Sequence, residues 1–264
     1  MGRILLILVI IAAVLGVGYY FTQNSAKIKI SNDPVVAAIQ KREHIVLGTD
    51  ATYPPMENAN AKGEFEGFDI DLAREIAKDL GVELEVKNIA FDKLIEVLNE
   101  GGVDMIISSM TIKSDRAQVV DFSNPYLNAG QSIIVVSTND EINEKEDLKG
   151  KKIAVQDETT SEEEALKLTA VGNVTIYKSE YTQAVNFLKE GKIDAIVMDY
   201  PAAANLVHNN MGTKIVGEPF TSEFYGVAVK RGSENFIDVI NKSIAKAKSS
   251  GLARTWEEKW LKPE

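Results

Sequence analysis

From about His44 onward, short apolar runs alternate with amphipathic stretches. That alternation predicts an α/β fold of two similar lobes, each a mainly parallel sheet flanked by helices, with a cleft between them. Three observations carry the prediction. Apolar residues recur at helical spacing between the strands, glycines follow the helices, and Glu100-Gly-Gly-Val-Asp-Met-Ile-Ile returns as Glu190-Gly-Lys-Ile-Asp-Ala-Ile-Val. Two copies are too few for a solenoid but suit two lobes of about 100 residues, a usual domain size.

In the first lobe Ile45-Val46-Leu47 reads as a buried strand. Phe68, Leu72, Ile76 and Leu80, with Ala73 and Ala77 beside them and Gly81 after, read as a helix with a glycine stop. Val82 to Val86 alternates as a strand. Phe91, Leu94, Ile95 and Leu98 mark a second helix ended by Gly101-Gly102, before the strand Val103 to Ile107. The second lobe repeats the plan: strand Lys151 to Gln156, helix Ser161 to Leu168, strand Val174 to Tyr177, helix Thr182 to Leu188, strand Ile193 to Met198. Crossovers near Asn128 to Ser132 and Phe224 to Val227 divide the chain into one lobe of 43–128 with 228–264 and another of 129–227.

The 264 residues are 45% apolar and 26% charged, with 18 Gly, 7 Pro and no Cys, which excludes disorder, collagen and a disulfide scaffold. A net charge of −10 leaves no broad basic surface for a phosphate backbone, so no nucleic-acid partner is expected. With His44 and His208 as the only histidines and no thiol, His/Cys zinc sites and iron–sulfur clusters are excluded. No cofactor and no metal are expected, and the cysteine that anchors bacterial lipoproteins is missing.

Ile4 to Phe21 carries no charge or strongly polar residue, follows Arg3 and precedes Thr22-Gln23-Asn24-Ser25. A signal peptide and a spanning helix, which needs roughly 17–25 apolar residues, both fit. Ser25-Ala26 is a weak match to a cleavage site, while Tyr19, Tyr20 and Phe21 resemble an interfacial aromatic belt. Residues 1–25 are expected to be an export signal or a retained anchor, with the remainder in the periplasm or on the outer face of the cytoplasmic membrane. Residues 26–42, with Asn32-Asp33-Pro34 inside, read as a tether.

Ligands of open α/β sheets bind beyond the carboxyl ends of the strands. There the sequence places Asp50, Thr52 and Tyr53; Ser108, Ser109, Met110 and Thr111; Gln156, Asp157, Glu158, Thr159 and Thr160; and Asp199 with Tyr200. Singly such residues are turn or cap residues, and Asp115 reads as a cap beside Arg116. Together they suit a zwitterion. Arg116 can hold a carboxylate through paired charge-assisted bonds, each worth roughly 1.5–3 kcal/mol. Asp199 can take an ammonium, and the helix start at Thr160 offers a backbone N–H to the carboxylate. Tyr53 and Phe91 can pack on the ligand side chain, or else in the core.

The runs GTDATYPPMENANAKGEFEGFDIDLAREIAKDLG, FDKLIEVLNEGGVDMIISSMTIKSDRAQVVDFSNPY, LKGKKIAVQDETTSEE, LKEGKIDAIVMD and LARTWEEKWL resemble the periplasmic polar amino-acid-binding proteins of ABC importers. The similarity covers about Glu43 to Leu261. It implies a two-lobed periplasmic-binding-protein fold that closes over one amino acid. It further implies that Arg116 and Thr111, with the main chain at Thr160, hold the ligand carboxylate, and that Asp199 and the main chain around Ser109 take the α-amino group. Tyr53 and Phe91 would sandwich the side chain, and Asp50 would read its far end. One departure stands out: Glu158-Thr159-Thr160 puts a side chain where relatives carry glycine, a residue often needed for positive φ.

Asp50, the aromatic pair and the acidic field favour a basic ligand such as arginine, lysine or ornithine; glutamine, or both, is the alternative, since Asp50 and Gln156 also suit an amide. An acidic ligand would need a cation near Asp50. The competitor from another class is a cyclohexadienyl or prephenate-type dehydratase of this fold, with Glu158 as its acid; the complete clamp of Arg116 and Asp199 favours a binding protein over an enzyme. A receptor sensor domain would expect a further membrane segment or signalling module. The expected partners are an L-amino acid and a membrane ABC permease, with the chain itself a monomer.

Overall fold

The computed structural model describes residues 33–177 and 181–262; the export segment expected over residues 1–25 lies outside them. The first element, α1 (Pro34–Arg42), corrects the expected tether over its described part. Asp33 Oδ1 accepts the N–H groups of Val35 and Val36 at 3.0 and 2.9 Å, and Pro34 takes the first helical position, where no N–H is needed. The Asn-Asp-Pro run is therefore a helix start rather than a turn, and Val36 and Ile39 are buried.

After β1 (His44–Thr49) comes a small antiparallel sheet of β2 (Thr52–Tyr53), β3 (Glu57–Ala59) and β4 (Phe65–Glu66), then α2 (Phe68–Leu80). The four-residue spacing does what it predicts. α2 buries Phe68, Leu72, Ile76 and Leu80, carries Asp69 and Asp71 in the first turn where the helix dipole favours negative charge, and stops at Gly81 with φ 71°. At about 1.5–3 kcal/mol per fully buried large side chain, this face holds the helix to the sheet. β5 (Glu83–Asn88), a 3-10 turn at Phe91–Lys93 leading into α3 (Leu94–Asn99), β6 (Met105–Ile106) and β7 (Val120–Phe122) complete the first pass; the strand predicted from Val103 to Ile107 is the shorter β6.

β8 (Leu127–Ala129) leads across to β9 (Gln131–Val136), β10 (Ile153–Gln156), α4 (Thr160–Leu168), β11 (Val174–Tyr177), α5 (Thr182–Lys189), β12 (Ala195–Asp199), α6 (Tyr200–Asn209) and β13 (Thr213–Val216). β14 (Glu223–Tyr225) leads back to β15 (Ala228–Lys230), α7 (Glu234–Ser249) and α8 (Leu252–Trp260). The two five-stranded sheets have the orders β5-β1-β6-β15-β7 and β11-β10-β12-β9-β13, which are the same plan. In each, a single strand runs against its neighbours, β15 in the first and β9 in the second. These are the strands that arrive from the crossovers. They start at the cleft, whereas the parallel strands end there.

The crossovers lie side by side, with Leu127, Asn128 and Ala129 opposite Tyr225, Phe224 and Glu223. They approach closely at Gly130, where a Cβ would meet the Thr221 carbonyl at 2.4 Å. Val46, Leu94, Leu98, Ile106 and Val120 form a buried cluster of the first lobe, and Ile133, Val135, Ile153, Val155 and Val197 one of the second. Tyr126 and Tyr225 at the crossovers belong to a cluster that joins both.

Candidate ligand-binding site

Between the carboxyl ends of the two sheets lies a cavity with about 420 Å³ of atom-free space, lined from both lobes. On the first-lobe side β1 delivers Asp50. Its Oδ1 accepts from Thr52 Oγ1 at 2.7 Å and its Oδ2 from the Phe91 N–H at 3.1 Å, while burial pushes its carboxyl above the usual range. β6 delivers Ser108 and Ser109. Ser109 has a left-handed backbone, φ 49°, and is fastened there: its N–H donates to Asp69 Oδ2 at 2.7 Å and its hydroxyl to Glu57 Oε2 at 3.2 Å. Ser108 donates to Glu57 Oε1 at 2.9 Å. Burial pushes the Glu57 carboxyl well up, with the Asp69 charge adding to it, and burial pushes Asp69 up to about 7. Both acids of this pair are thereby shifted toward the protonated form.

Asp115 is the cap that the sequence suggests, accepting the Arg116 N–H at 2.8 Å and pairing with Lys113 at 3.0 Å. It starts the 3-10 turn Arg116–Gln118. The Arg116 guanidinium is buried, donates to the Thr111 carbonyl at 3.2 Å and the Glu158 carbonyl at 3.0 Å, and lies 5.2 Å from the centre of the Phe91 ring.

From the second lobe, β10 delivers Gln156, whose Nε2 donates to Asp50 Oδ2 at 3.3 Å. Glu158 has φ 56°, a left-handed value that favours glycine, and its side chain is exposed. Thr159 caps α4 by accepting the Glu162 N–H at 3.3 Å, which opens the positive end of that helix on the cavity at Thr160. Asp199 stands at the N-cap position of α6 yet caps nothing. Its carboxylate accepts instead from Gln131 Nε2 and the Tyr225 hydroxyl, and burial, reinforced by the charge of Glu223, pushes it up to about 7. A guanidinium on one side and carboxylates on the other can hold a molecule with charges of both signs.

Residues 45–263 match the family described as bacterial extracellular solute-binding proteins, family 3. The chain belongs to that family. It is 35% identical over 247 residues to the ABC transporter glutamine-binding protein of Bacillus subtilis (strain 168), covering 91% of this chain and 89% of that protein. Among solved structures, a P235GK mutant of the arginine-binding protein from T. maritima superimposes with a TM-score of 0.80 at 38% identity, covering 86% of this chain and 98% of that one. An ancestral arginine-binding protein bound to glutamine gives 0.78 at 43% identity, covering 83% and 98%.

In this family 3 protein the residues that the sequence places at the strand ends line the cavity together with Phe91 and Arg116, except Thr52, Met110, Asp157, Glu158 and Tyr200; Thr52 instead holds Asp50, and Tyr200 is exposed. Met110 is buried with Val46, Leu94 and Val120 in the first-lobe core, as its apolar side chain dictates, so it is withdrawn from the site. The hydroxyl expected of Thr111 for a ligand carboxylate is also committed elsewhere. Thr111 Oγ1 and Thr160 Oγ1 donate to Glu223 Oε2 at 2.8 and 2.7 Å, and Thr221 and Gln131 donate to Oε1 at 3.0 and 3.1 Å. A single carboxylate on β14 thus ties both lobes together. Glu57, Ser161, Tyr177 and Met198 line the cavity as well; the sequence puts Glu57 on the rim without a contact and assigns the other three neither. Tyr177 had a signal, since it ends a strand; Glu57, the first residue of β3, follows no strand end.

Proposed function

We propose that this family 3 protein, acting as a monomer outside the cytoplasm, captures a polar L-amino acid by closing its lobes over it and passes it to an ABC permease. Basic side chains (arginine, lysine or ornithine) are preferred and glutamine comes next. The observation that carries this reading is the charge inventory of the cavity. One guanidinium, Arg116, shares the cavity with two carboxylates, Asp50 and Asp199, beside a third acid, Glu57, that burial shifts toward its neutral form, and this is the inverse of a basic amino acid with its one carboxylate and two cations. Glutamine keeps second place because Gln156 already offers Asp50 an amide N–H₂, the group that glutamine would bring.

Closure follows from which lobe holds what. Arg116 reaches the Glu158 carbonyl, Gln156 reaches Asp50, and Lys113 pairs with Glu163, each contact crossing from one lobe to the other. A zwitterion bridging the same groups favours the closed arrangement by its differential affinity, and lobe orientation is what a permease can read. Against the dehydratase reading, Glu158 is exposed and cannot protonate a group in the cavity. Glu57 is an acid that burial shifts toward the protonated form, but both its oxygens are engaged by Ser108 and Ser109.

The test is calorimetric titration of protein unfolded and refolded to strip carried-over ligand, with arginine, lysine, histidine, glutamine and glutamate, beside an assay of prephenate turnover. Tightest binding of arginine or lysine with no turnover is expected. Glutamine alone would overturn the charge argument, and turnover without amino-acid binding would overturn the function.

A further inference from the structure

Among the described residues, the buried side-chain polar atoms without a hydrogen-bond partner are Thr49 Oγ1, Asp69 Oδ1, Ser132 Oγ and the Tyr177 hydroxyl. Of these residues Tyr177 alone lines the cavity. It is 6% exposed and its ring belongs to the cluster that joins both lobes, a packing role that phenylalanine would fill equally well. Among the described residues the hydroxyl has no hydrogen-bond partner. Held out of water without a partner, it carries a desolvation penalty that a group arriving in the cavity would remove.

The strand order says which part of a ligand it meets. Tyr177 ends the edge strand β11 and is in register with Gln156, whereas Asp199 ends β12 on the other side of β10. β12, β10 and β11 stand in the second sheet as β6, β1 and β5 do in the first, where β6 leads to Ser108 and β1 to Asp50. Two strand spacings separate β11 from β12, about 10 Å. That is the reach of an extended side chain from its α-ammonium to its tip. Burial pushes the phenol up, so it is neutral and can both donate and accept.

We propose that Tyr177 is a specificity-determining residue whose hydroxyl pairs with an N–H group at the tip of the ligand side chain, favouring guanidinium or amide tips over apolar ones. This rests on the amino-acid reading above. The test is Tyr177→Phe in the full chain, titrated with arginine and glutamine, with methionine as a tip of similar length lacking N–H, measured by displacement. Arginine and glutamine should weaken by about 10- to 100-fold, the range for a hydrogen bond to a charged or well-placed polar group, with methionine within twofold. Thermal unfolding of the ligand-free variant should show no loss of stability, because no internal bond is removed. Unchanged arginine and glutamine affinity, equal weakening of methionine, or a less stable ligand-free variant would each overturn the role of Tyr177 while leaving amino-acid capture intact. A parent protein that binds no amino acid would overturn the proposed function itself.

Discussion

Ser109 in the first lobe and Glu158 in the second both hold a left-handed backbone at the cavity, with φ of 49° and 56°, and they are held by different means. Ser109 is gripped by two buried acids, Asp69 on its N–H and Glu57 on its hydroxyl. Glu158 is exposed; its N–H donates to the surface carboxylate of Glu162 at 2.9 Å, and its carbonyl is held only from the opposite lobe, by Arg116. One topology thus yields two grades of preorganisation. The first-lobe half of the site is held by bonds within its own lobe, at the cost of a buried acid pair, and in the proposed function the second-lobe half is completed by closure.

Arg116→Ala would break this comparison most severely, because Arg116 is both the candidate carboxylate holder and the group that fastens the second-lobe loop. A loss of about 2–5 kcal/mol in binding is expected by calorimetry, as for removing one partner of a buried charge pair. A loss under about 1 kcal/mol would show that the carboxylate is held elsewhere and that the loop does not need the first lobe.

The acids of the two lobes should respond differently to pH. Asp199 and Asp69 both stand near 7 in the empty protein, raised from 3.8 by burial. A raised carboxyl binds its proton more tightly folded than unfolded, so the empty protein should lose stability as pH rises from about 4 through about 7. An ammonium beside Asp199 expels its proton, whereas no group of the ligand is assigned to Glu57 and Asp69. Affinity should therefore fall up to about tenfold per pH unit below 7, roughly 2.7 kcal/mol between pH 7 and 5, and level off above. Titrations in buffers of different ionisation enthalpy should show proton release near pH 6. Affinity flat between pH 5 and 8 would remove Asp199 as the ammonium site.

Asp50→Asn sharpens the contrast at the far end of the cavity. Arginine should lose about 1.5–3 kcal/mol more than glutamine, because only the cation loses a charge-assisted partner. Equal losses in parallel titrations would show that Asp50 does not read charge.

The same contrast explains what the sequence could reveal. Strand ends are legible because periodicity and glycine stops mark them, and Asp50, Ser109, Gln156 and Asp199 follow from that alone. Met110 fails because position beyond a strand does not say which way a side chain turns, and its apolar body turns to the core. Glu57 and Glu223 were missed as contacts for another reason. Both begin short strands, β3 and β14, rather than following a strand end, and only long-range contacts to Ser108, Ser109, Thr111 and Thr160 make them part of the site. The helix at Pro34–Arg42 was missed because Asn-Asp-Pro signals a turn and a helix start alike.

The smallest expected effect tests the comparison most directly, by placing glycine at each left-handed residue. A non-glycine residue there carries about 1–2 kcal/mol of strain, while glycine loses about 0.5–1 kcal/mol through the greater freedom of its unfolded chain. At Glu158 nothing else is lost but an exposed side chain, so Glu158→Gly should be more stable by about 0.5–1 kcal/mol, with binding little changed. At Ser109 the same relief is offset by removing a hydroxyl from the buried Glu57, which costs about 1–3 kcal/mol, so Ser109→Gly should be neutral or destabilised. Denaturant unfolding of the two variants decides the matter. Equal stabilisation of both would mean that Glu57 does not grip the Ser109 hydroxyl, and that the side chains at the two left-handed positions contribute alike.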